Sequence, residues 1–410
     1  MEPEPIRFGQ RLQILRERRG MTRDVLAGLV GKSTETIRAI EKGRLKAPGL
    51  EVVLALAEAL RISDLADLIG HQTGRSQIDL FAGPGHMRLP AVRDAINSLP
   101  LTTGGQAPPP AHLQARLARA WAARHSAPNH REVVGQLLPD LIRDAQLAVR
   151  QADTAAERRA AQAVLSEVYS LAQFFVAYQA DSAALLWRVA ERGMIAAQES
   201  EDPHAIGVAA WLQAQAHRDS GPGHYDAADA VTLEVLAYLD PLLPDATPPV
   251  LAIAGALRFE AGYTAARRGD TGAAWGYWDR ASAVAERLPA DYYHPVTSFS
   301  RAIMGAHATT VAVELHAGGE SVRQATRAEA TVIPSRPRRA RHRIEQARAY
   351  QLDGQPDVAL ATLGQAHEAA PETIRYNGYA KRIILEEVES TVAARRERAS
   401  SLAVKVGLLT

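Results

Sequence analysis

The chain has no cysteine in its 410 residues. That excludes disulfides, thiol nucleophiles and cysteine-ligated zinc. Aromatic residues are scarce at 5%, and β-branched residues rarely alternate with polar ones, so half-buried strands are not expected. An excess of either charge is also missing. Lys and Arg number 47 against 46 Asp and Glu, a formal net charge of +1. A globally basic nucleic-acid binder is excluded, and any basic surface has to be local. No apolar run approaches the ~20 residues of a membrane span, and the opening MEPEPIRFGQRLQ has no apolar signal core. These absences predict a cytoplasmic protein with no membrane partner.

Apolar residues make up 47% and charged residues 23%, with 23 prolines punctuating Ala-rich periodic segments. That composition supports large cores and predicts an all-α fold. The length suits two or three domains, or one domain followed by a repeat array. The stretches HQTGRSQIDLFAGPGH and SLPLTTGGQAPPPAHL are rich in Gly, Pro and polar residues and flank a short helix, PAVRDAINSL. They place a linker or hinge over 71–110, between an N-terminal domain at 1–70 and a helical body at 111–410.

Within 1–70 the apolar spacing predicts five helices. The first runs from Ile6 to Arg19 and is closed by Gly20. Val25, Leu26 and Leu29 mark the second, behind Thr22 as N-cap. Gly31 permits a sharp turn. Ser33 caps a third helix with Ile37 and Ile40 facing inward. Leu50–Leu60 and Ile62–Leu68 complete the set. Two short helices across a tight turn form a helix-turn-helix, which offers the N-terminal end of its second helix to the DNA major groove. Ser33, Thr34 and Thr36 carry hydroxyls for bases or phosphates, and Arg38 has the guanidinium fork for guanine or phosphate. Lys42, Arg44 and Lys46 follow in one loop and suit backbone contacts.

The stretch RLQILRERRGMTRDVLAGLVGKSTETIRAIEKGRLKAPGLEVVLALAEALRI resembles the phage-repressor/Cro-type (XRE) helix-turn-helix domain over about residues 6–70. The resemblance implies that Arg16 pairs with Glu41, tying the first helix to the end of the third. It also implies that Arg23, Ser33, Thr34, Glu35, Thr36 and Arg38 lie at or near DNA. Family members commonly carry Gln where Arg23 stands.

Beyond residue 110, thirteen helical stretches are expected, among them 294–316 and 372–396. Two units agree in detail: Gly269, Ala274 and Ala281, and Gly354, Ala359 and Ala366, with Gly262 and Ala347 seven residues before each Gly. Ala183/Ala190 and Ala230/Ala237 repeat the spacing of seven. Small residues at these intervals let antiparallel helices approach closely. The spacing resembles the tetratricopeptide repeat and implies an α-solenoid with a concave surface. A helix-turn-helix head before such helices resembles actinobacterial repeat-containing transcriptional regulators. In outline it is similar to Gram-positive quorum-sensing regulators whose repeat domains bind peptides. The resemblance implies an operator, an inverted repeat, as partner, with a homodimer and a small-molecule or peptide effector. The alternative is a protein-interaction scaffold whose head contacts a partner protein.

An aromatic-dense region, Phe259 to Phe299, raises a ligand pocket at Trp275, Trp278, Tyr292, His294 and Arg301. The basic stretch IPSRPRRARHR, 333–343, reads as a solvated connection into the next helix. The histidines His204, His217 and His224 fit no metal signature. GPGHYD and FAGPGH lack the lysine and hydroxyl of a phosphate loop, and no Ser, His and Asp set stands out. No enzyme activity, metal or cofactor is expected.

Overall fold

A computed structural model of the chain describes residues 8–45, 48–62, 68, 85–99, 105–179 and 182–409. The described elements are helical throughout, with no strand among the described residues, and none of these helices is long and apolar enough to cross a membrane. The chain divides into two compact units, Met1–Gly83 and Pro84–Thr410.

In the first unit α1 spans Phe8–Arg18, α2 Arg23–Leu29, α3 Thr34–Glu41 and α4 Leu50–Ala59. Their inward faces meet in one core of Leu12, Leu26, Ile37, Ile40, Val53, Leu56 and Leu60. The Oγ1 of Thr22 accepts the Val25 N–H at 3.2 Å and starts α2. Gly31, at φ +63°, turns the chain, and Ser33 caps α3. Val25 and Leu29 were expected beside Leu26, yet they are 51% and 59% exposed. A seven-residue helix packed against α3 and α4 buries only the Leu26–Ala27 edge. The expected start at Ile6 and the interior of the expected fifth helix lie outside the described residues.

The second unit begins with α5, Leu89–Asn97. Antiparallel neighbours follow: α6 Pro110–Ser126, α7 His130–Arg150, α8 Ala155–Val176, α9 Ala183–Ser200, α10 Pro203–Asp219, α11 Tyr225–Leu239, α12 Pro248–Arg268 and α13 Thr271–Ala285. After residues 286–303 come α14 Met304–Glu314, α15 Gly318–Arg327, α16 Arg336–Leu352, α17 Pro356–Ala369, α18 Pro371–Arg375, α19 Gly378–Val388 and α20 Ala393–Lys405. α5 buries Leu89, Val92 and Ile96 in the main core, so this part of the stretch read as a linker belongs to the second unit.

Two helix boundaries differ from expectation for local reasons. Pro295 and the turn around Ser298, at φ +65°, hold 294–300 out of helix. There the Ser298 N–H reaches the His294 carbonyl at 2.9 Å, and α14 starts only at Met304. The expected 372–396 helix is split because the Asn377 side chain accepts the Ala380 N–H at 3.0 Å and begins α19 afresh.

The repeat signature acts where it is fullest. Ala274 and Ala281 on α13, and Ala359 and Ala366 on α17, are fully buried. Gly269 and Gly354 make the left-handed turns before them, at φ +81° and +73°. By contrast Ala183, Ala230 and Ala237 are exposed, and Ala228 and Thr232 take the inward positions on α11. In Ala-rich helices a spacing of seven recurs on outward faces too.

The array returns on itself. The Arg131 N–H donates to Glu372 Oε2 at 2.6 Å across 241 residues of sequence, and His125 Nδ1 lies 2.9 Å from Ser335 Oγ across 210. The last helices thus meet α6 and the start of α7.

At Gly262 a Cβ would sit 3.0 Å from the Ala274 carbonyl oxygen and 3.1 Å from the Tyr277 Cβ. Gly262→Leu should therefore force α12 from α13 and cost about 1–3 kcal/mol, the usual range for overpacking. Urea unfolding of the full chain measures it; an unchanged midpoint would mean the two helices do not pack at this residue.

Candidate nucleic-acid interface

The head is organised round one carboxylate. Glu41, at the end of α3, has a fully buried side chain. Its Oε1 accepts from Arg16 Nε at 2.5 Å. Its Oε2 accepts from Arg16 Nη2 at 3.2 Å and from Arg23 Nε at 2.6 Å. Arg16 Nη1 also donates to the Met21 carbonyl at 2.8 Å. One acid thereby joins α1, the following turn, α2 and α3, and it holds the Arg16 guanidinium above its ordinary pKa. Arg23 is turned inward in part, with a third of its side chain, 33%, still open. Its role as second partner of Glu41 was not read from the sequence. The signal was its departure from Gln at that position, which puts a second cation beside the only buried acid among the described residues of the head.

The outer edge of α3 is dressed differently. Ser33, Thr34, Glu35 and Arg38 are exposed and Thr36 is half-buried. The Thr36 N–H donates to Ser33 Oγ at 3.1 Å, and the two hydroxyls lie 2.8 Å apart. Thr34 Oγ1 donates to Asp24 Oδ1 at 2.5 Å, fixing the start of α3 to α2. Arg38 stands 3.8 Å from Glu35, with both side chains more than half open. Such a surface pair holds its partners weakly, so the guanidinium is available to a ligand. Lys42 and Arg44 are exposed just past the helix; Lys46 lies outside the described residues.

The first unit is a helix-turn-helix domain: residues 7–68 match the family model described as "Helix-turn-helix domain". Among solved structures the chain is similar to that of ComR from S. thermophilus in complex with DNA and its signalling peptide ComS. The identity is 16%, over 68% of this chain and 93% of that one, with a TM-score of 0.17. At that TM-score the likeness settles neither fold nor function. No curated relative matches the chain.

The aromatic region behaves mostly as core. Trp278 Nε1 donates to the Met304 carbonyl at 3.1 Å, and the Trp275 ring stands edge-on to it at 5.8 Å. Tyr292 packs on the main core. His294 is fully buried. Its Nδ1 accepts from the Thr297 N–H at 3.1 Å, and its Nε2 faces His204 Nε2 at 2.8 Å. Arg301 pairs with Glu286 at 3.5 Å. A cavity of about 420 Å³ between α6, α8 and α10 is lined by none of these five residues; His204, Glu167 and Val296 line it.

The basic stretch 333–343 is not a solvated connection throughout. It enters α16, where Arg338, Arg341, Glu345 and Arg348 recur at intervals of three and four and share one inward face. Arg341 lies 2.9 Å from Glu345. Arg348 lies 2.6 Å from Glu345 and 2.7 Å from Glu314. Arg267 adds a 3.5 Å contact to Glu314, and Arg218 pairs with Glu260. Charge density alone hid this; the helical spacing within the run was the readable signal.

Glu41→Ala would leave two guanidinium groups without their acid, one of them buried. The head should lose about 3–5 kcal/mol, the usual cost of stranding a buried charge. The melting transition of the full chain, followed with a probe on α1, measures it; an unchanged midpoint would remove Glu41 from that role.

Proposed function

We propose that the chain is a sequence-specific DNA-binding transcriptional regulator, with its helical unit as effector sensor and pairing surface between two copies. The observation that carries this reading is the division of labour on α3. Its inner edge is pinned by Ile37, Ile40 and Glu41. Its outer edge presents Ser33, Thr34 and Arg38, with Lys42 and Arg44 beyond. Inserted in the major groove, that edge supplies base-edge donors from the helix and phosphate contacts from the loop. Two copies would read an inverted repeat. A short peptide is one class of effector, and a small molecule is the other. The setting is cytoplasmic.

A second reading, a scaffold that uses its head for protein contact, draws on Val25 and Leu29, which stand open on α2. Salt separates the two. Phosphate contacts release counterions, so DNA affinity falls steeply with added salt, whereas an apolar contact through α2 does not.

Arg38→Ala should weaken binding to the selected operator by about 1–3 kcal/mol, the worth of a good bidentate base contact, and leave random duplex nearly unaffected. Competition binding with both duplexes measures this. Equal loss on both would reassign Arg38 to the phosphates. No salt-dependent binding to any duplex would favour the scaffold.

A further inference from the structure

The buried and half-buried arginines of the second unit fall into three groups. Arg218, Arg267, Arg341 and Arg348 each have a carboxylate within 4 Å. Arg131 is held another way: its two terminal nitrogens donate to the carbonyls of Phe175 and Ala177 at 2.5 and 3.1 Å, where α8 ends, and its Nε has no partner among the described residues. Arg124 and Arg338 have neither arrangement. Arg124 is 8% exposed, lies over the Phe174 ring at 4.2 Å, and its buried Nη1 has no partner among the described residues. Arg338 reaches only the Thr297 carbonyl, at 3.3 Å. Among the described residues no ion pair involves either.

Other unmet polar groups gather at the same place. The Tyr293 hydroxyl is buried without a partner, and so are both ring nitrogens of His307, which is 5% exposed and stacked flat on Phe259. Arg338 is the common neighbour: its charge acts on Arg124, on Tyr293 and on His307. Burial and that charge push Arg124 down to about 9, a penalty the protein keeps unrelieved. Tyr178 stands near the same arginines. Tyr178, at φ +64°, is 50% exposed, yet Arg218 and Arg341, from two separate helices, lie within electrostatic range of it. Its hydroxyl donates to Asp219 Oδ2 at 3.0 Å.

A buried and a half-buried cation without an acid, a hydroxyl without an acceptor and an imidazole without a hydrogen-bond partner are the makings of an oxyanion site. We propose that Arg124 and Arg338, with Tyr293 and His307, bind the carboxylate of a small organic acid or of a peptide end inside the second unit. The two guanidinium groups supply the counter-charge and the Tyr293 hydroxyl a further donor. His307, held neutral by burial and by Arg338, supplies one donor without adding a third charge. Phe174, Phe259 and Tyr178 offer rings to an apolar or aromatic body. The site deepens the effector-sensing part of the proposed function and rests on it only for its link to DNA.

The test uses the full chain without DNA, following thermal unfolding in acetate, acetamide and chloride at matched ionic strength. Acetate should raise the midpoint above chloride and acetamide, and Arg124→Met and Arg338→Met should abolish that difference. In the acetate-free state Arg124→Met should unfold no earlier than wild type, because an apolar side chain replaces an unpaired charge, whereas Arg348→Met, which breaks a satisfied network, should unfold earlier. Titration of 3-phenylpropionate and of Phe-Phe, each against its terminal amide, then separates a free acid from a peptide end. Each charged form should bind the Met variants about 30-fold or more weakly than wild type. The proposal is overturned if acetate and chloride act alike on wild type, if the variants keep the acetate response, or if Arg124→Met destabilises as Arg348→Met does. Operator binding by wild type without acid is measured alongside; its absence would count against the DNA reading and not against the anion site.

Discussion

Glu372 is the residue on which the second unit's shape turns. The N-terminus of α7 has no cap from its own sequence, since the Asn129 side chain accepts no helix N–H. The Arg131 and Glu132 amides therefore need an acceptor from elsewhere. Glu372 supplies one with each oxygen, at 2.6 and 3.3 Å, and its charge is favoured at the positive end of α7. His86 stands 3.6 and 3.7 Å from Glu132 and Glu372 and brings the entry segment to the same spot. A run of helix pairs held only by neighbours would stay open. Closing it at a helix terminus turns its inner face into an interior, and every charge on that face must then be matched or left costly.

The head applies the same economy in miniature and with the opposite outcome at its edge. Two arginines converge on Glu41 inside, while Arg38, Lys42 and Arg44 remain exposed, Arg38 with only a weak surface partner among the described residues. A net charge of +1 conceals this, because neutralisation happens where burial demands it and leaves cations over where solvent permits them. The helix that carries these exposed side chains is fixed from inside by the buried carboxylate of Glu41.

Helix content and the helix-turn-helix were legible because both rest on local signals: 3.6-residue periodicity, the caps at Thr22 and Ser33, and the small residues at Gly262, Ala274 and Ala281. What escaped was decided by contacts far apart in sequence. Nothing local reveals that Glu372 reaches Arg131, or which acids face the row that starts in 333–343. The exposure of Val25 and Leu29 depends on which neighbours a short helix is given. Trp275 and Trp278 looked like candidates because they are large and close together, yet the Met304 carbonyl already takes the Trp278 donor. A site is marked less by conspicuous residues than by polar groups whose partners are missing, and that is visible only once the partners of all the others are known.

This also places the unmet arginines in relation to the closure. Arg124 adjoins His125, whose Nε2 donates to the Pro295 carbonyl at 2.6 Å. Since Nε2 carries the proton and burial with Arg124 pushes the ring down to about 4, Nδ1 is left to accept from Ser335 Oγ. Ser335 in turn immediately precedes α16, which carries Arg338. An anion shared by Arg124 and Arg338 would therefore span the two elements, α6 and α16, that the ring closure already brings together. Its binding would favour the closed array over any more open one, by about 2.7 kcal/mol at a hundredfold excess over its dissociation constant if the open form does not bind it. Only the difference in affinity between closed and open forms can act elsewhere in the chain, however tightly the anion is held. The same unpaired charges that make the empty site expensive supply that difference, because in an open array water would already solvate them.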